Sequence, residues 1–479
     1  MKLGERVKAM LQNWLNIVPA VGQSVVLQEK LPREIEVLRS QLWYRGDAAE
    51  LRQFFHQIGD GSGGFWASVP GKSGIRKIHS GLPAIIADTL AYIVYSDMDD
   101  IQVEGTAETE ALEEIQEHMD FTQLVGSAIV EALITGDGAF KVSVDTALSP
   151  TPVVEFWGAD RVSYDYARGI LREVVFHSVH ETKNRTYHLE EHYGIGYVDN
   201  ILMDNSGHQV ELACVPALAG IPPRVEFSGG YIMAVPLRFY DSKKYPNRGK
   251  SIFDGGKSDC FDALDEVISQ WWDAIRAGRV TKYIPSDKIP RSPDDGSLQL
   301  APSLGDERSS QIQVVQPDIK YDAFVSSYTN CLLMCLQGLV SPATLGIDVG
   351  KMQSADAQRE KKDVTGNTRN TITAALEKAL PELVAAVLMT YDNMQEKPPR
   401  TYQVAVTFGE YGAPDFDSRV ETVGKASTYG IMSVETQVEE LWGSSKDEAW
   451  KASEVQRIMQ EKGTLNANEP SVSGEYSAP

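Results

Sequence analysis

The chain has 479 residues, 42% of them hydrophobic and 23% charged, a composition that suits a globular protein with room for two or three cores. Its formal charge of −22 excludes a conventional DNA-binding domain, whose affinity comes from a basic surface that neutralises phosphates. No apolar run approaches the ~20 residues that span a bilayer, and four cysteines are too few for a disulfide scaffold, so synthesis in a reducing cell interior is expected.

At the N-terminus, Gln12 and Asn13 interrupt the apolar part of MKLGERVKAMLQNWLNIV, which suits an amphipathic helix better than a signal peptide. Residues 31–58 read as two helices, the second capped by Asp47 with Glu50 three residues on. A glycine-rich loop (61–74) precedes a helix over 82–95, a polar stretch rich in Asp and Glu covers 97–120, and FTQLVGSAIVEALIT forms a helix stopped at Gly136. Alternating runs then predict antiparallel strands: AFKVSVD, PVVEFWG, ILREVVFHSVH, RTYHLEEHY, GYVDNILMD and YIMAVPLRFY. The fold class is therefore α+β, with a meander in the first half.

Two motifs inside these segments suggest enzymes. His188-Leu-Glu-Glu191-His192 matches the H-x-x-E-H pattern of inverted zinc peptidases, which needs a helix to project both histidines from one face. The flanking Thr186, Tyr187, Tyr193 and Gly194 favour a strand, on which Glu191 points away from His188 and His192. The tripeptide GKS occurs at Gly71, Gly249 and Gly256, but a phosphate loop needs another glycine five residues earlier, where Trp66, Lys244 and Ser251 stand instead. No Ser-His-Asp set and no Cys/His metal spacing has local support; no cofactor is expected.

From Ser258 to Gly278, Phe261, Leu264, Ile268, Trp271 and Ile275 make one helical stripe, with Asp259 and Asp262 near its start and Arg276 near its end. Short strand candidates follow (VTKYIP, SLQLAP, IQVVQP), then a second apolar helix with Phe324, Tyr328, Leu332, Leu336 and Leu339 along one side. A helix, a small β-rich module and a returning helix make a protruding hairpin whose stripe must pack on its partner helix or on a neighbouring subunit. Cys331 and Cys335 fall one turn apart in this second helix, as core residues. Pro342, Gly346 and Gly350 end it. A long helix then runs from about 354 to 393, polar in its first half as a solvated or water-lining face would be, with Pro381 as a bend. After the strand QVAVTFG come three helices, opened at Ser418, Ser433 and Ser445 and closed at Gly430, Gly443 and Gly463, and from residue 464 a tail of disordered composition.

The order of these pieces resembles the portal proteins of tailed bacteriophages over nearly the whole chain. The matching segments are Trp43-Tyr44-x-Gly46-Asp47 with Leu51, IIADTLAYIVY, ALITGDGAFKVSVD, the paired helices around a β-rich module, LGIDVGKMQSADAQREKK and GIMSVETQVEELWG. The resemblance implies a portal-type fold: an α/β wing (1–250), a first stem helix (251–278), a clip (279–320), a second stem helix (321–344), a tunnel loop (345–357), a long helix returning to the wing (358–415) and a helical crown (416–463). It implies a non-enzymatic ring, twelve subunits in the family, at one capsid vertex of the virion. Double-stranded DNA would pass through it non-specifically during packaging and ejection. The large terminase, and later head-completion and connector proteins, would dock on it, with the major capsid protein and scaffold around the wing and no membrane. The protein itself would be made in the bacterial cytoplasm.

By the same resemblance, Lys351, Met352, Gln353, Arg359, Lys361 and Lys362 would face the DNA channel. Phe261, Leu264, Ile268, Trp271, Trp272, Tyr328 and Leu332 would serve stem and subunit packing, and Lys282, Tyr283, Lys288, Arg291 and Arg308 would serve partner binding at the clip. The basic cluster Lys351, Arg359, Lys361, Lys362 and Arg369 either touches phosphates or pairs along a solvated helix with Asp356, Glu360 and Asp363. Two competing readings make different predictions. A zinc metallopeptidase using His188, Glu191 and His192 requires a helix over 186–193. A cytosolic helical adaptor is a monomer or dimer and leaves the hairpin without a purpose.

Overall fold

The computed structural model describes residues 31–58, 64–68, 74–182, 185–278, 281–285, 298–301, 313–315, 318–347, 355–409, 416–443 and 448–461; for the strands within 281–315 and for residues 355–363, 416–419, 421 and 448 it describes the backbone alone. The N-terminal helix and the C-terminal tail expected from the sequence lie outside these residues. The chain divides between Phe408 and Gly409 into two units.

In the first unit, α1 (Arg33–Arg45) and α2 (Ala48–Ile58) are separated by Gly46 at φ +70° and by Asp47, whose Oδ1 accepts from the backbone N–H of Ala49 (2.7 Å) and Glu50 (3.1 Å). Asp47 is the N-cap its position suggested, but the Glu50 carboxylate turns to Arg45 (3.6 Å) rather than closing a capping box. α3 (Leu82–Tyr95) buries Ile86, Leu90 and Val94, and α5 (Phe121–Thr135) buries Val125, Ile129 and Leu133, each a one-sided i,i+4 row. These helices pack with α1 and with the central sheet into one large core. The acidic stretch 97–120, which reads in sequence only as a polar connection, holds β1 (Gln102–Val103) and α4 (Thr106–Glu117). Only Leu112 and Ile115 of α4 are buried, too few apolar positions to declare a helical period.

The central antiparallel sheet has the order β10-β2-β3, from β2 (Asp137–Ser143), β3 (Val153–Gly158) and β10 (Ala234–Arg238). The meander forms a second sheet, β4-β5-β6-β7-β8, from β4 (Val162–Ala167), β5 (Ile170–Thr182), β6 (Arg185–Gly194), β7 (Tyr197–Asp204) and β8 (Gln209–Val210), with β9 (Arg224–Glu226) also paired to β7. Sequence reading passed over β4, whose run VSYDYA is polar and ends in the Arg168-Gly169 turn. Where α5 meets β2, Gly136 (φ +96°) and Gly249 touch so closely that a Cβ on Gly249 would stand 2.0 Å from the Gly136 carbonyl oxygen.

α6 (Lys257–Ala277) leads out to a small sheet ordered β12-β11-β13, from β11 (Thr281–Pro285), β12 (Leu298–Ala301) and β13 (Gln313–Val315), with β11 parallel to β12 and antiparallel to β13. α7 (Tyr321–Leu336) returns, and a 3-10 turn (Pro342–Leu345) follows it. α8 (Ala355–Met394) continues through Pro381 and buries Ile372, Leu376, Leu380 and Leu383 in the core, and β14 (Val404–Ala405) pairs with β1. The second unit holds α9 (Phe416–Thr428), α10 (Val434–Trp442) and α11 (Glu448–Glu461). Ser433 caps α10 through Thr436 N (3.2 Å) as its position suggested, whereas α9 begins at Phe416 and takes in Ser418. Within this unit Trp442 and Trp450 stack edge to face at 5.6 Å, and Lys451 pairs with Glu439 (2.9 Å).

Candidate functional site

The site is the α6/α7 hairpin together with the loop and helix that hold its base. α6 and α7 run antiparallel: Lys257 at the start of α6 meets the end of α7, while Gly278 meets Ile319 just before α7 begins. The stripe residues read from sequence are found in two environments. Phe261, Leu264 and Leu332 are buried in the main core, with Ile268 and Tyr328 packed against it. Further out, Trp271 is embraced by its own chain, its ring 5.9 Å from Tyr321, 6.2 Å and parallel to Phe324, and 6.4 Å from Tyr328. Trp272 faces the opposite way and is 56% exposed, with Ile275 and Tyr321 exposed near the same end. Trp271 is therefore an intrachain residue, while Trp272 is free to meet another molecule.

The base of the hairpin is tied by charged groups that sequence reading missed. Asp265 is fully buried and its carboxylate accepts from Trp66 Nε1 (3.0 Å), Ser80 N (2.8 Å) and His79 Nδ1 (2.7 Å), so His79 carries its proton on Nδ1. One turn earlier, Asp262 accepts from the backbone N–H of Phe65 (2.6 Å) and Trp66 (2.9 Å); burial pushes its carboxyl up, and these two donors pull it back. Lys77 donates to the carbonyls of Phe65, Trp66 (3.0 Å) and Ser68 (2.9 Å), and burial lowers its pKa. The described part of the glycine-rich loop is thus fastened onto α6. One signal in the sequence could have exposed this: Asp265 lies four residues after Phe261, on the apolar side of the helix.

The GKS tripeptides find their roles here. Lys257 directs Nζ at the carbonyls of Met334 (2.7 Å), Cys335 (3.2 Å) and Gln337 (2.7 Å), which have no N–H partners at the end of α7, and burial lowers its pKa. Cys335 is buried beside it, and burial pushes that thiol up to about 12. The Gly249 N–H does bind an anion, but an internal one: the Asp137 carboxylate (2.6 Å), which also pairs with Arg33 (3.0 Å) and Arg248 (2.9 Å). The GKS at Gly71 lies outside the described residues.

The other enzyme motif is overturned by its own backbone. Residues 185–194 are the strand β6, so the helix a zinc peptidase needs is not formed there. Glu191 pairs with Lys141 (2.6 Å) on β2 of the central sheet, while His192 turns to Glu173 (3.3 Å) and Glu190 (3.5 Å) on the other face. Among the described residues no three His, Cys, Asp or Glu side chains are arranged to hold a metal, and no helix is long and apolar enough to cross a membrane.

The family model for phage portal proteins of the SPP1 Gp6-like kind matches residues 247–466, from just before α6 to just beyond α11. Over these residues, a little under half of the chain, the sequence is similar to that family. Two solved structures resemble it more loosely. One is the neck of a native GTA particle computed with C12 symmetry, 12% identical, covering 74% of this chain and 89% of that one with a TM-score of 0.39. The other is the neck of an empty GTA particle computed with C6 symmetry, 12% identical over 75% and 89%, with a TM-score of 0.35. Scores this low make the likeness too loose to assign any property to this chain. No curated protein matches the chain.

Within the matched region, Lys351, Met352, Gln353, Lys288, Arg291 and Arg308 lie outside the described residues. The backbone places Lys282 and Tyr283 on β11, and Arg359, Lys361 and Lys362 in the first turns of α8. One member of the basic cluster is corrected. Arg369 is buried and ion-paired to Asp97 (3.1 Å), so it does not reach DNA. The polar front of α8 is likewise not solvated throughout. Thr365 is buried, taking the Ser341 N–H (2.9 Å) and meeting Thr344 Oγ1 (3.0 Å), and Thr368 is buried one turn later. Polarity there serves internal hydrogen bonds, which hydropathy cannot distinguish from exposure.

Proposed function

We propose that the chain is the portal subunit of a tailed phage or phage-like particle: copies assemble as a ring, twelve in the family, at one vertex, and enclose the channel through which double-stranded DNA enters and leaves. The observation that carries this reading is the match of residues 247–466 to the portal family, a span that contains the anchored hairpin, its β module and the long returning helix. In this reading residues 1–250 are wing, α6 and α7 the stem, the β11–β13 module the clip, residues 345–357 the tunnel loop and α9–α11 the crown. Lys351, Met352, Gln353, Arg359, Lys361 and Lys362 line the channel, while Lys282, Tyr283, Lys288, Arg291 and Arg308 meet the terminase and later the connector proteins. A formal charge of −22 per subunit keeps phosphates from sticking to a wall along which DNA must slide. The reading assigns no catalytic step to this chain; a separate ATPase supplies the work.

Native mass spectrometry with negative-stain imaging tests the assembly. A species near twelve times 52.8 kDa with a central hole is expected, alone or with scaffold and capsid protein. A protein that stays monomeric or dimeric even with those partners sinks the reading. For the channel, Lys351→Ala, Lys361→Ala and Lys362→Ala together should change the packaged DNA per particle; unchanged packaging removes these lysines from it.

A further inference from the structure

In the first unit a groove of about 890 Å³ opens between the central sheet, the β6–β7 part of the larger sheet and the end of α8. Its one lysine, Lys141, is neutralised by Glu191 at 2.6 Å and covered by the ring of Trp157. Its rim is apolar and uncovered: Val144 and Leu148 (79% exposed) stand on the loop after β2, with Ile221 and Val225 on the opposite lip. Four exposed aliphatic side chains converging on one groove form a patch that a soluble protein covers with a partner. Asp145 and Glu155 stand on the same rim, and neither pairs with a cation among the described residues. Glu226, also lining it, is already held by Arg224 (2.9 Å).

At the opposite edge of the larger sheet, the turn between β4 and β5 presents the complementary side chains. Ile170 is 70% exposed at its tip, flanked by Arg168 and Arg172. Arg168 has no acidic partner among the described residues, and Arg172 holds only the surface carboxylate of Asp165, at 3.4 Å. One edge therefore carries an aliphatic side chain between two arginines, and the other an aliphatic groove beside two carboxylates. We infer that the 168–172 tip of one copy of this chain seats in the groove of the next. Ile170 enters between Leu148 and Ile221, and the arginines meet Asp145 and Glu155. The contact joins unlike surfaces, so repeating it runs head to tail, the kind of contact from which a ring is built when its rotation closes, whereas a self-complementary contact stops at a dimer. Long-range charge complementarity sets the orientation, and the buried aliphatic contact holds it. The inference rests on the proposed ring and names the surfaces that form the ring's wing contact.

The test is a cysteine pair in the full chain with the exposed native thiol removed by Cys214→Ser. In that background Leu148→Cys with Ile170→Cys, oxidised after assembly, should give a covalent ladder at successive multiples of 52.8 kDa, and neither single variant should. Rings without a ladder, or a groove cysteine that links to a different protein or within its own chain, overturn the contact and leave the ring reading standing. A wild-type chain that forms no ring under any condition removes both. As a second measurement, Arg168→Glu with Arg172→Glu should reduce ring yield at least tenfold, and adding Asp145→Arg with Glu155→Arg should restore it. A loss that the swap does not restore counts against the contact.

Discussion

The two ends of the α6/α7 hairpin are built on opposite principles. At the base, Asp262, Asp265, Lys77 and Lys257 each find several partners within the chain, and the apolar residues between them are buried. At the far end Trp271 is satisfied by α7, but Trp272 and Ile275 are exposed, and Tyr321 is largely exposed beyond its edge contact with Trp271. A helix pair whose purpose was stability alone would not stop closing its apolar surface halfway along. The base is a socket completed by folding, while the far end leaves Trp272 and Ile275 exposed.

The comparison breaks first at Asp265. Asp265→Ala leaves Trp66 Nε1, Ser80 N and His79 Nδ1 without their acceptor in the core, and should cost about 3–5 kcal/mol in chemical denaturation. A loss below about 1 kcal/mol would mean that the base is not the socket described. The paired tryptophans sharpen the contrast. Trp271→Ala should cost about 2 kcal/mol through lost aromatic packing, whereas Trp272→Ala should leave monomer stability within about 0.5 kcal/mol and lower ring yield in native mass spectrometry. Equal effects of the two on stability would erase the distinction between the ends.

Smaller effects are expected where helix ends and titration are involved. Lys257→Met keeps the aliphatic stem but leaves the carbonyls of Met334, Cys335 and Gln337 without their donor, at a cost of about 1–2 kcal/mol. Because burial lowers the Lys257 pKa, folding disfavours its charged form relative to its neutral form. The wild type should therefore gain relative to Lys257→Met as pH rises toward the usual lysine range. The smallest effect concerns Cys335. Its thiol is raised from 9.0 to about 12 in the fold, so its contribution is complete below pH 9 and lost as pH rises through 12. Cys335→Ala should flatten that part of the stability–pH curve, read by denaturation at stepped pH.

Local physics made much of the architecture legible in the residues. The 3-4-3-4 stripe on α6, the run of α3, the Asp47 and Ser433 caps and the alternation along β5–β7 are properties of single segments, and the segments took those forms. The strand form of HLEEH was equally local, because its neighbours are β-formers and glycine. What needed the tertiary structure is pairing over long separations. Asp265 with His79, Lys257 with the end of α7, Gly249 with Asp137 and Arg369 with Asp97 each join residues about 75 to 270 positions apart, and no period in either segment reports its partner. The polar front of α8 misled for the same reason: a threonine that hydrogen-bonds inside a core and one that faces water look alike in sequence. The sequence by itself determined most of the elements, their order and the family they resemble. The tertiary structure decided which charges are structural and which faces are left open, because burial and partner choice are set by what the rest of the chain brings alongside.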